Sequence, residues 1–303
     1  MLGFAGSRPR TRRIGYRARM PVAVVTDSTA YLPAELGGAH DLTVVPLTVV
    51  IDGTSGDEGT QVTIDEVARA LGARRTAVST SRPAPAQFVS AYRALFDAGC
   101  DGIVSLHLSA KLSGTVEAAQ LAAAEFDGRV AVVDSMTTGM GLGFAALAAA
   151  QVARDGAGLA EVKRAGEAHA GRVSTFFYVD TLEFLRRGGR IGAASALVGT
   201  ALSVKPILHV DEGMIVVRDR VRTAGRALAR LVDLAVEAAG DGTADIAVHH
   251  LGAYARAVAL MDEVTMRLGD RLQDCYLTEI GAVVAAHVGP GVVGIVVHRR
   301  EGR

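Results

Sequence analysis

The first half of the chain alternates short apolar runs, rich in β-branched residues, with segments whose apolar residues recur at helical spacing. Residues 102–108 and 130–133 have the first pattern, and residues 115–126 and 141–153 have the second. Strands that alternate with helices form βαβ units around a parallel sheet. The pattern therefore predicts an N-terminal α/β domain with a parallel sheet over residues 20–168.

The pattern then changes, and strand-like runs begin to follow one another directly. Residues 204–210 and 214–219 flank the turn Asp211-Glu212-Gly213, which is typical of a β-hairpin. We expect a C-terminal α+β domain with an antiparallel sheet over residues 169–303. Because no linker rich in Pro or Ser separates the halves, the two domains should pack closely. A ligand is then expected between them, outside the carboxyl ends of the parallel strands.

The composition excludes several classes of protein. Apolar residues make up 50% of the 303 residues, which is enough for two cores and too many for a disordered chain. Basic and acidic residues number 32 each, so the net charge gives no sign of a nucleic-acid partner. Cys100 and Cys275 form neither a disulfide framework nor a metal-binding spacing, which fits a reducing cytoplasm.

Two segments bear on targeting and on membrane contact. Residues 1–19 carry six arginines and no acid, and Met20 stands directly before the first strand-like run. We interpret residues 1–19 as a disordered basic extension or a misassigned start, with a transit peptide as the alternative. The uncharged run 135–153 is diluted by Gly, Thr and Ser, so it predicts a buried helix rather than a membrane span. At most transient membrane contact is expected.

Polar residues gather in four short segments that follow strand-like runs or precede helices. Ser113-Gly114-Thr115 stands directly before a helix, where free N–H groups and the helix dipole favour an anion. Alternatively, Ser113 and Thr115 cap that helix, and the Thr80 segment only begins a helix at a proline. The residues alone leave both interpretations open. The four segments are Asp27-Ser28-Thr29, Thr80-Ser81-Arg82-Pro83, Ser109 to Thr115, and Asp134-Ser135.

One histidine has a distinctive setting. His287 begins the segment His287-Val-Gly-Pro-Gly291, between strand-like runs at 275–286 and 291–298, so we expect it at a strand end where backbone approaches closely. His249 and His250 are neighbours on a predicted strand, so their side chains should point to opposite faces and hold no metal. The seven histidines without a comparable setting are His40, His107, His169, His209, His249, His250 and His298.

Taken in order, eight fragments of this sequence resemble the DegV family of bacterial fatty-acid-binding proteins, over about residues 22–298. The family's usual Thr-Ser-Gln-Pro has Arg82 in its third place here, so the resemblance implies no amide contact there. The usual Ser-Ser pair before Leu-Ser-Gly is Ser109-Ala110. The fragments are Val25-Thr-Asp-Ser-Thr-Ala-Tyr-Leu-Pro33, Thr80-Ser-Arg-Pro83, Leu108-Ser-Ala-Lys-Leu-Ser-Gly-Thr115, Val133-Asp-Ser135, Leu185-Arg-Arg-Gly-Gly-Arg-Ile191, Val204-Lys-Pro-Ile-Leu208, Val221-Arg-Thr223 and His287-Val-Gly-Pro-Gly291.

The resemblance implies a two-domain fold with a ligand tunnel between the domains. It implies a cytoplasmic carrier without cofactor or catalytic residues, which binds one long-chain fatty acid and presents it to a fatty acid kinase. By the same resemblance, Thr80 and Ser113 hold the ligand carboxylate with His287 close by, and Arg222 lies in a motif for docking to the kinase. The supporting loop residues are Asp27, Ser28, Ser81, Gly114, Thr115 and Arg190.

Alternatives to this carrier function stay open. A hydrolase would use Ser113 as nucleophile and His287 as base, with Asp27 orienting the base, although no Gly-x-Ser-x-Gly elbow surrounds Ser113. Binding of another small ligand is the third possibility. Arg190 could simply interact with carbonyls at a helix end. Arg222 precedes a helix start, where a cation is unfavourable, and this favours a docking role over a role in stability. The alternative is that Arg222 is a solvated surface arginine.

Overall fold

Four parallel strands form the first sheet, in the order β2-β1-β6-β7. Strand β6 is buried along its whole length, as expected for a parallel strand covered by helices on both faces. The parallel sheet predicted from the alternating pattern is therefore confirmed. The strands are β1 (Ala23–Asp27), β2 (Thr43–Val45), β6 (Ile103–His107) and β7 (Val130–Asp134).

Two pairs of helices cover the faces of this sheet. Helices α2 and α3 pack on one face, and α4 and α5 pack together on the other. The helices are α2 (Pro85–Asp97), α3 (Thr115–Ala123), α4 (Met140–Arg154) and α5 (Leu159–Ala170). The predicted domain boundary between residues 168 and 169 falls in the last turn of α5, and the division itself stays a prediction.

A small antiparallel sheet, in the order β4-β3-β5, stands beside the parallel one. The sequence pattern did not predict it, because its strands are only four residues long and lack a clear alternation. It matters for the site because Thr80 lies on β5. The elements are β3 (Thr48–Ile51), β4 (Thr54–Asp57), β5 (Val78–Ser81) and the helix α1 (Ile64–Gly72).

The second half forms a six-stranded sheet in the order β10-β9-β8-β13-β11-β12. Neighbouring strands are antiparallel except for β11 and β12, so the prediction of an antiparallel sheet was wrong and the sheet is mixed. The reason is that helix α8 (Tyr254–Leu268) crosses over between β11 and β12, and such a crossover joins parallel strands. The strands are β8 (Val173–Tyr178), β9 (Lys205–Asp211), β10 (Met214–Val221), β11 (Ala244–His250), β12 (Leu272–Glu279) and β13 (Val293–Arg299).

Helices α7 and α8 cover one face of the mixed sheet, and α4 contacts β8 and β13 from the first half. The predicted hairpin is present as β9 and β10, with the turn at Glu212 and Gly213. The remaining helices are α6 (Glu183–Arg187), α7 (Ala224–Ala239), α8 (Tyr254–Leu268) and α9 (Ala282–Val288).

Helix α9 corrects the prediction of a strand-like run over 275–286. Strand β12 ends at Glu279, and the chain then turns at Gly281 into α9, so His287 lies in the last turn of a helix and not at a strand end. Gly289 ends the helix with a positive φ of 73° and donates its N–H to the carbonyl of Ala285. Glycine is the usual residue at that position, because it adopts such a φ without steric cost.

The structure is a computed structural model, and it describes residues 22–33, 36, 41–73, 76–192 and 204–300. The basic segment 1–19 lies outside the described residues. Within these ranges, no helix is both long enough and apolar enough to cross a bilayer.

Candidate ligand-binding site

A cavity of about 990 Å³, part of it open to solvent, lies between the parallel sheet and the mixed sheet. Leu108 and Leu112 line it just beyond the carboxyl end of β6, and Phe177 lines it from β8 on the opposite side. Most of the lining is apolar, and the polar groups are few. This is the usual composition of a small-molecule site, in which apolar walls hold a ligand and a few polar groups orient it.

One part of the cavity wall is polar, and it contains the three residues that the resemblance assigns to a carboxylate. Thr80, Ser113 and His287 all line the cavity. The hydroxyl of Thr80 lies 2.8 Å from Nε2 of His287, although 207 positions separate the two residues. Ser81 and Arg190 line the same cavity. The structure thus brings Thr80 and His287 into direct contact and places Ser113 in the lining of the same cavity.

His287 is neutral at pH 7 and has one unused ring nitrogen. Burial, together with the nearby charge of Arg190, lowers the pKa of His287 to about 4. Among the described residues, the buried Nδ1 has no hydrogen-bond partner, and it lies against Gly188, where a Cβ would clash with the ring. A buried N–H without a partner is rarer than a buried acceptor without one. The favoured tautomer therefore donates Nε2–H to Thr80, which leaves the Thr80 hydroxyl proton free for a ligand.

Ser113 does not cap the helix that follows it. Helix α3 has Gly114 at its N-cap position, and no side chain makes a capping hydrogen bond there. The Ser113 hydroxyl instead lies 2.9 Å from the hydroxyl of Thr115. The alternative in which Ser113 and Thr115 only cap α3 is therefore wrong. Gly114 and Thr115, which follow Ser113 in the chain, are not part of the cavity lining.

Two arginines brace the Ser113 segment. Arg82 donates to the carbonyl of Gly114 and pairs with Glu117 on α3, so it ties the end of β5 to the start of that helix. Arg190 donates from Nε to the carbonyl of Leu112 at 3.0 Å and from Nη1 to the carbonyl of Gly188 at 2.6 Å. Arg190 thus does interact with a carbonyl at a helix end, as the alternative for this residue proposed, and it also contacts Leu112. Both arginines also line the cavity.

Asp27 and Ser28 lie outside the cavity lining, and their supporting role stays a prediction. Asp27 is fully buried and accepts hydrogen bonds from the backbone N–H of Thr29 and of Leu108. The same carboxylate also lies 3.1 Å from Nδ1 of His107. The Asp27 carboxylate therefore fastens the ends of β1 and β6 together.

This arrangement also bears on the hydrolase alternative. Asp27 contacts His107 and not His287, and the hydroxyl next to His287 belongs to Thr80 and not to Ser113. A serine nucleophile needs its base within hydrogen-bonding reach and the base oriented by a third group. The structure does not assemble Ser113, His287 and Asp27 in that way.

Sequence reasoning missed two residues of the cavity wall, Tyr31 and His249. His249 was predicted to have no special setting, which was wrong. Its Nε2 accepts the backbone N–H of Met140 at 3.0 Å, its Nδ1 lies 2.6 Å from the hydroxyl of Thr278, and burial lowers its pKa to about 4. Only the packing of α4 on the mixed sheet reveals this position. Tyr31 did carry a signal, because it belongs to one of the eight fragments.

Arg222 lies where the sequence predicted, between the end of β10 and Thr223, which caps α7. It is exposed, and so are Arg218 and Arg220 on β10. Arg218 lies at a β-bulge between Val217 and Asp219, and Arg222 follows the end of β10, so the three arginines form a basic patch along an edge strand. Such a patch suits an acidic protein surface.

The fold and the cavity define an α/β protein with an apolar site for a small ligand between a parallel and a mixed sheet. The chain belongs to the DegV family, since a family model with the description "Uncharacterised protein, DegV family" matches residues 21–300. A DegV domain-containing protein of Streptomyces coelicolor is 52% identical over 282 residues, which cover 92% of this chain and 99% of that protein.

Two solved structures are similar to this fold over nearly the whole chain. The first, described as fatty acid binding of a DegV family protein from Thermus thermophilus, has a TM-score of 0.87 and 35% identity, and the match covers 93% of this chain and 100% of that one. The second is DegV, a fatty acid binding protein from Bacillus subtilis, with a TM-score of 0.83, 31% identity and the same coverage.

Proposed function

We propose that this protein binds one long-chain fatty acid in the cavity and presents its carboxylate to a fatty acid kinase, which supplies ATP and catalysis. One observation carries the proposal: the contact between Thr80 and His287 lies in the wall of an apolar cavity that Ser113 also lines. The similarity to two fatty-acid-binding DegV structures supports the same ligand class.

The chemistry of the polar wall suits a carboxylate that later reacts. Thr80 and Ser113 offer hydroxyl donors, and the neutral His287 adds no charge, so the ligand oxygen keeps its nucleophilicity. Arg190, whose guanidinium is braced by two carbonyls, supplies a positive charge near the site. Such a charge would stabilise the negative charge that develops during phosphoryl transfer.

The apolar walls provide the affinity. Each buried methylene contributes about 0.8 kcal/mol, so a chain of roughly fifteen gains on the order of 12 kcal/mol before the costs of binding are subtracted. That gain is enough to retain a fatty acid through a gentle purification. Retention of the ligand is therefore part of the proposal.

The reacting end also needs access from outside. A surface cleft between α1 and α6 shares Thr80, Arg190 and His287 with the cavity. A partner enzyme could reach the carboxylate through this cleft while the acyl chain stays buried. We propose the basic patch of Arg218, Arg220 and Arg222 as the docking surface, in a cytoplasmic setting where the kinase has ATP.

Native mass spectrometry of the gently purified protein tests the binding step. We expect one fatty acid per chain, and we expect no turnover of ester substrates. Protein that carries no fatty acid, and takes up none when a 16-carbon acid is added, would contradict the proposal.

A kinase assay with Arg222→Ala tests the presentation step. The variant should keep fatty acid binding and thermal stability but lose phosphorylation of the bound acid, because it changes only an exposed side chain away from the cavity lining. Arg299→Ala, an exposed arginine at the end of β13, is the matched control. Normal phosphorylation with Arg222→Ala, at carrier concentrations well below saturation, would discard the docking role.

A further inference from the structure

Helix α9 forms part of the cavity wall, and residues of the first half of the chain hold it at both ends. Its last turn contributes His287, which contacts Thr80 on β5. At its first turn, the carboxylate of Glu58 accepts the backbone N–H of Val283 at 2.8 Å, across 225 positions of sequence. The hydroxyl of Tyr31 accepts the next N–H, that of Val284, at 3.0 Å.

The first turn of α9 has no capping side chain of its own. Gly281 occupies the N-cap position, so the first N–H groups of the helix need acceptors from elsewhere. A carboxylate at a helix N-terminus is favourable, because it meets both these groups and the positive end of the helix dipole. The absence of a side chain at Gly281 is required, since a Cβ there would clash with Glu58 and with Tyr31.

Glu58 is itself held in a defined position. It is only 7% exposed, and its second oxygen accepts the hydroxyl of Ser28, whose own oxygen accepts the N–H of Leu47 at 3.0 Å. The hydroxyl of Tyr31 lies 3.2 Å from the first oxygen. Ser28 was predicted to support the ligand site, and this chain of contacts from Ser28 through Glu58 to Val283 shows how it reaches α9.

The burial of the Glu58 carboxylate disfavours folding. Desolvation raises the pKa of its carboxyl, so keeping it ionised at neutral pH disfavours folding. A buried charge of this kind is poor evidence of a contribution to stability, and a role in fixing one geometry explains its presence better. The geometry it fixes is the placement of α9 against β3 and β5.

We infer that Glu58, together with Tyr31, is a positioning residue that fixes helix α9 and so holds His287 against Thr80 in the arrangement that receives a carboxylate. The inference rests on the proposed function for its effect on fatty acid binding. Its effect on the His287 ring is independent of any ligand. These two readouts separate the failure of one idea from the failure of the other.

The test compares Glu58→Ala with Glu58→Gln. Alanine removes the acceptor for the Val283 N–H, whereas glutamine keeps an oxygen there and offers its amide to the Ser28 hydroxyl. We expect Glu58→Ala to weaken binding of a 16-carbon fatty acid by about tenfold, in line with the loss of a hydrogen bond to a charged group. Glu58→Gln should restore binding to within about threefold of the original protein. Glu263→Ala, at an exposed position on α8, is the control and should change nothing.

The second readout is the tautomer of His287 in the ligand-free protein, measured from its ring nitrogen shifts by NMR at pH 7. Glu58→Ala should alter these shifts, and Glu58→Gln should restore them. A double-mutant cycle with His287→Ala should show that the two losses of affinity are not additive, because Glu58 acts through His287. If Glu58→Ala fails to fold, the variant Tyr31→Phe tests the inference instead. We then expect fatty acid binding to weaken about threefold and the His287 shifts to change.

Original affinity with unchanged His287 shifts in Glu58→Ala, or in Tyr31→Phe where that variant decides, would overturn the inference. Additive losses in the double-mutant cycle would also overturn it. If the unaltered protein binds no fatty acid, the proposed function fails, and the His287 shifts alone then support or refute the positioning role.

Discussion

Two polar clusters in this molecule are built around a histidine, and they differ in how completely their hydrogen bonds are satisfied. In the Asp27 cluster, a continuous series of contacts runs from Tyr92 through Ser105 and His107 to Asp27, all fully buried. In the Thr80 cluster of Thr80, Ser113 and His287, one ring nitrogen has no partner among the described residues and the hydroxyls face a cavity.

The difference separates a structural role from a binding role. Buried polar groups are normally paired, so a complete cluster inside a core needs no further explanation. In the Thr80 cluster the unpartnered Nδ1 is a buried acceptor, and the donors left for a ligand are the hydroxyls that line the cavity. In the sequence, both clusters look alike, because each combines hydroxyls with a histidine. Only the hydrogen-bonding inventory of the folded protein distinguishes them.

The largest expected effect is on the stability of the Asp27 cluster. Asp27→Ala should lower the free energy of unfolding by more than about 3 kcal/mol, because it leaves the buried N–H groups of Thr29 and Leu108 without acceptors. Urea denaturation measures this, with Asp262→Ala, at an exposed position on α8, as the control. A loss below about 1 kcal/mol would mean that the cluster is not structural.

The next effect is on binding at the Thr80 cluster. Thr80→Ala and Ser113→Ala should each weaken fatty acid binding by about tenfold or more, since a hydrogen bond to a charged group contributes about 1.5–3 kcal/mol. The free energy of unfolding should change by less than about 1 kcal/mol. Ser79→Ala is the matched control, because Ser79 is the exposed neighbour of Thr80 on β5 and lies outside the cavity lining. Variants that lose stability but bind normally would assign these hydroxyls to the structure.

The third effect is on the acid sensitivity that His287 gives to folding. Its pKa is about 4 in the folded protein, and an unfolded histidine has a pKa of about 6.5. The unfolded chain therefore binds more protons between these values, so stability present above about pH 6.5 is lost as the pH falls towards 4. The largest contribution is about 3 kcal/mol.

Urea titrations at several pH values between 7 and 4.5 measure this slope. His287→Gln should make it shallower, while the pKa of His249, also lowered to about 4, leaves part of the slope in place. An unchanged slope in His287→Gln would show that His287 is not neutral in the folded protein.

The smallest effect concerns Arg82, which lines the cavity and braces the Ser113 segment through Gly114 and Glu117. Its ion pair with Glu117 is exposed, so Arg82→Gln should change stability by less than about 1 kcal/mol. We expect fatty acid binding to weaken by no more than about threefold, because the Ser113 segment keeps its contact with Arg190. Isothermal titration of both proteins decides this. A tenfold loss would place Arg82 among the ligand contacts.

The sequence predicted those parts of the fold that depend on neighbours in the chain. The alternation of strands and helices indicated the parallel sheet, and the turn at Gly213 indicated the hairpin. The parallel pairing of β11 with β12 was missed, because no local pattern says which strands become neighbours after a crossover. The run around residue 280 was read as a strand, although Ala282 to Ala286 has no alternation and Gly281 and Gly289 bound a helix.

For the site, the family fragments indicated Thr80, Ser113 and His287, and physical reasoning from the residues alone left their roles open. Glu58 and His249 were missed because their contacts join segments far apart in the chain. Asp27 and Ser28 were predicted as supporting residues, and the sequence did not say how: Asp27 fastens two strands, and Ser28 contacts Glu58. Which polar residues reach the cavity is a property of packing, and local sequence does not contain it.

The central claim is that the Thr80 cluster receives the carboxylate of a fatty acid whose chain fills the apolar cavity. A crystal structure of the protein with a bound 16-carbon fatty acid tests this most directly. The account predicts carboxylate oxygens within about 3.2 Å of the Thr80 and Ser113 hydroxyls, with the acyl chain between the two sheets. A carboxylate bound elsewhere, or an acyl chain outside the cavity, would contradict it.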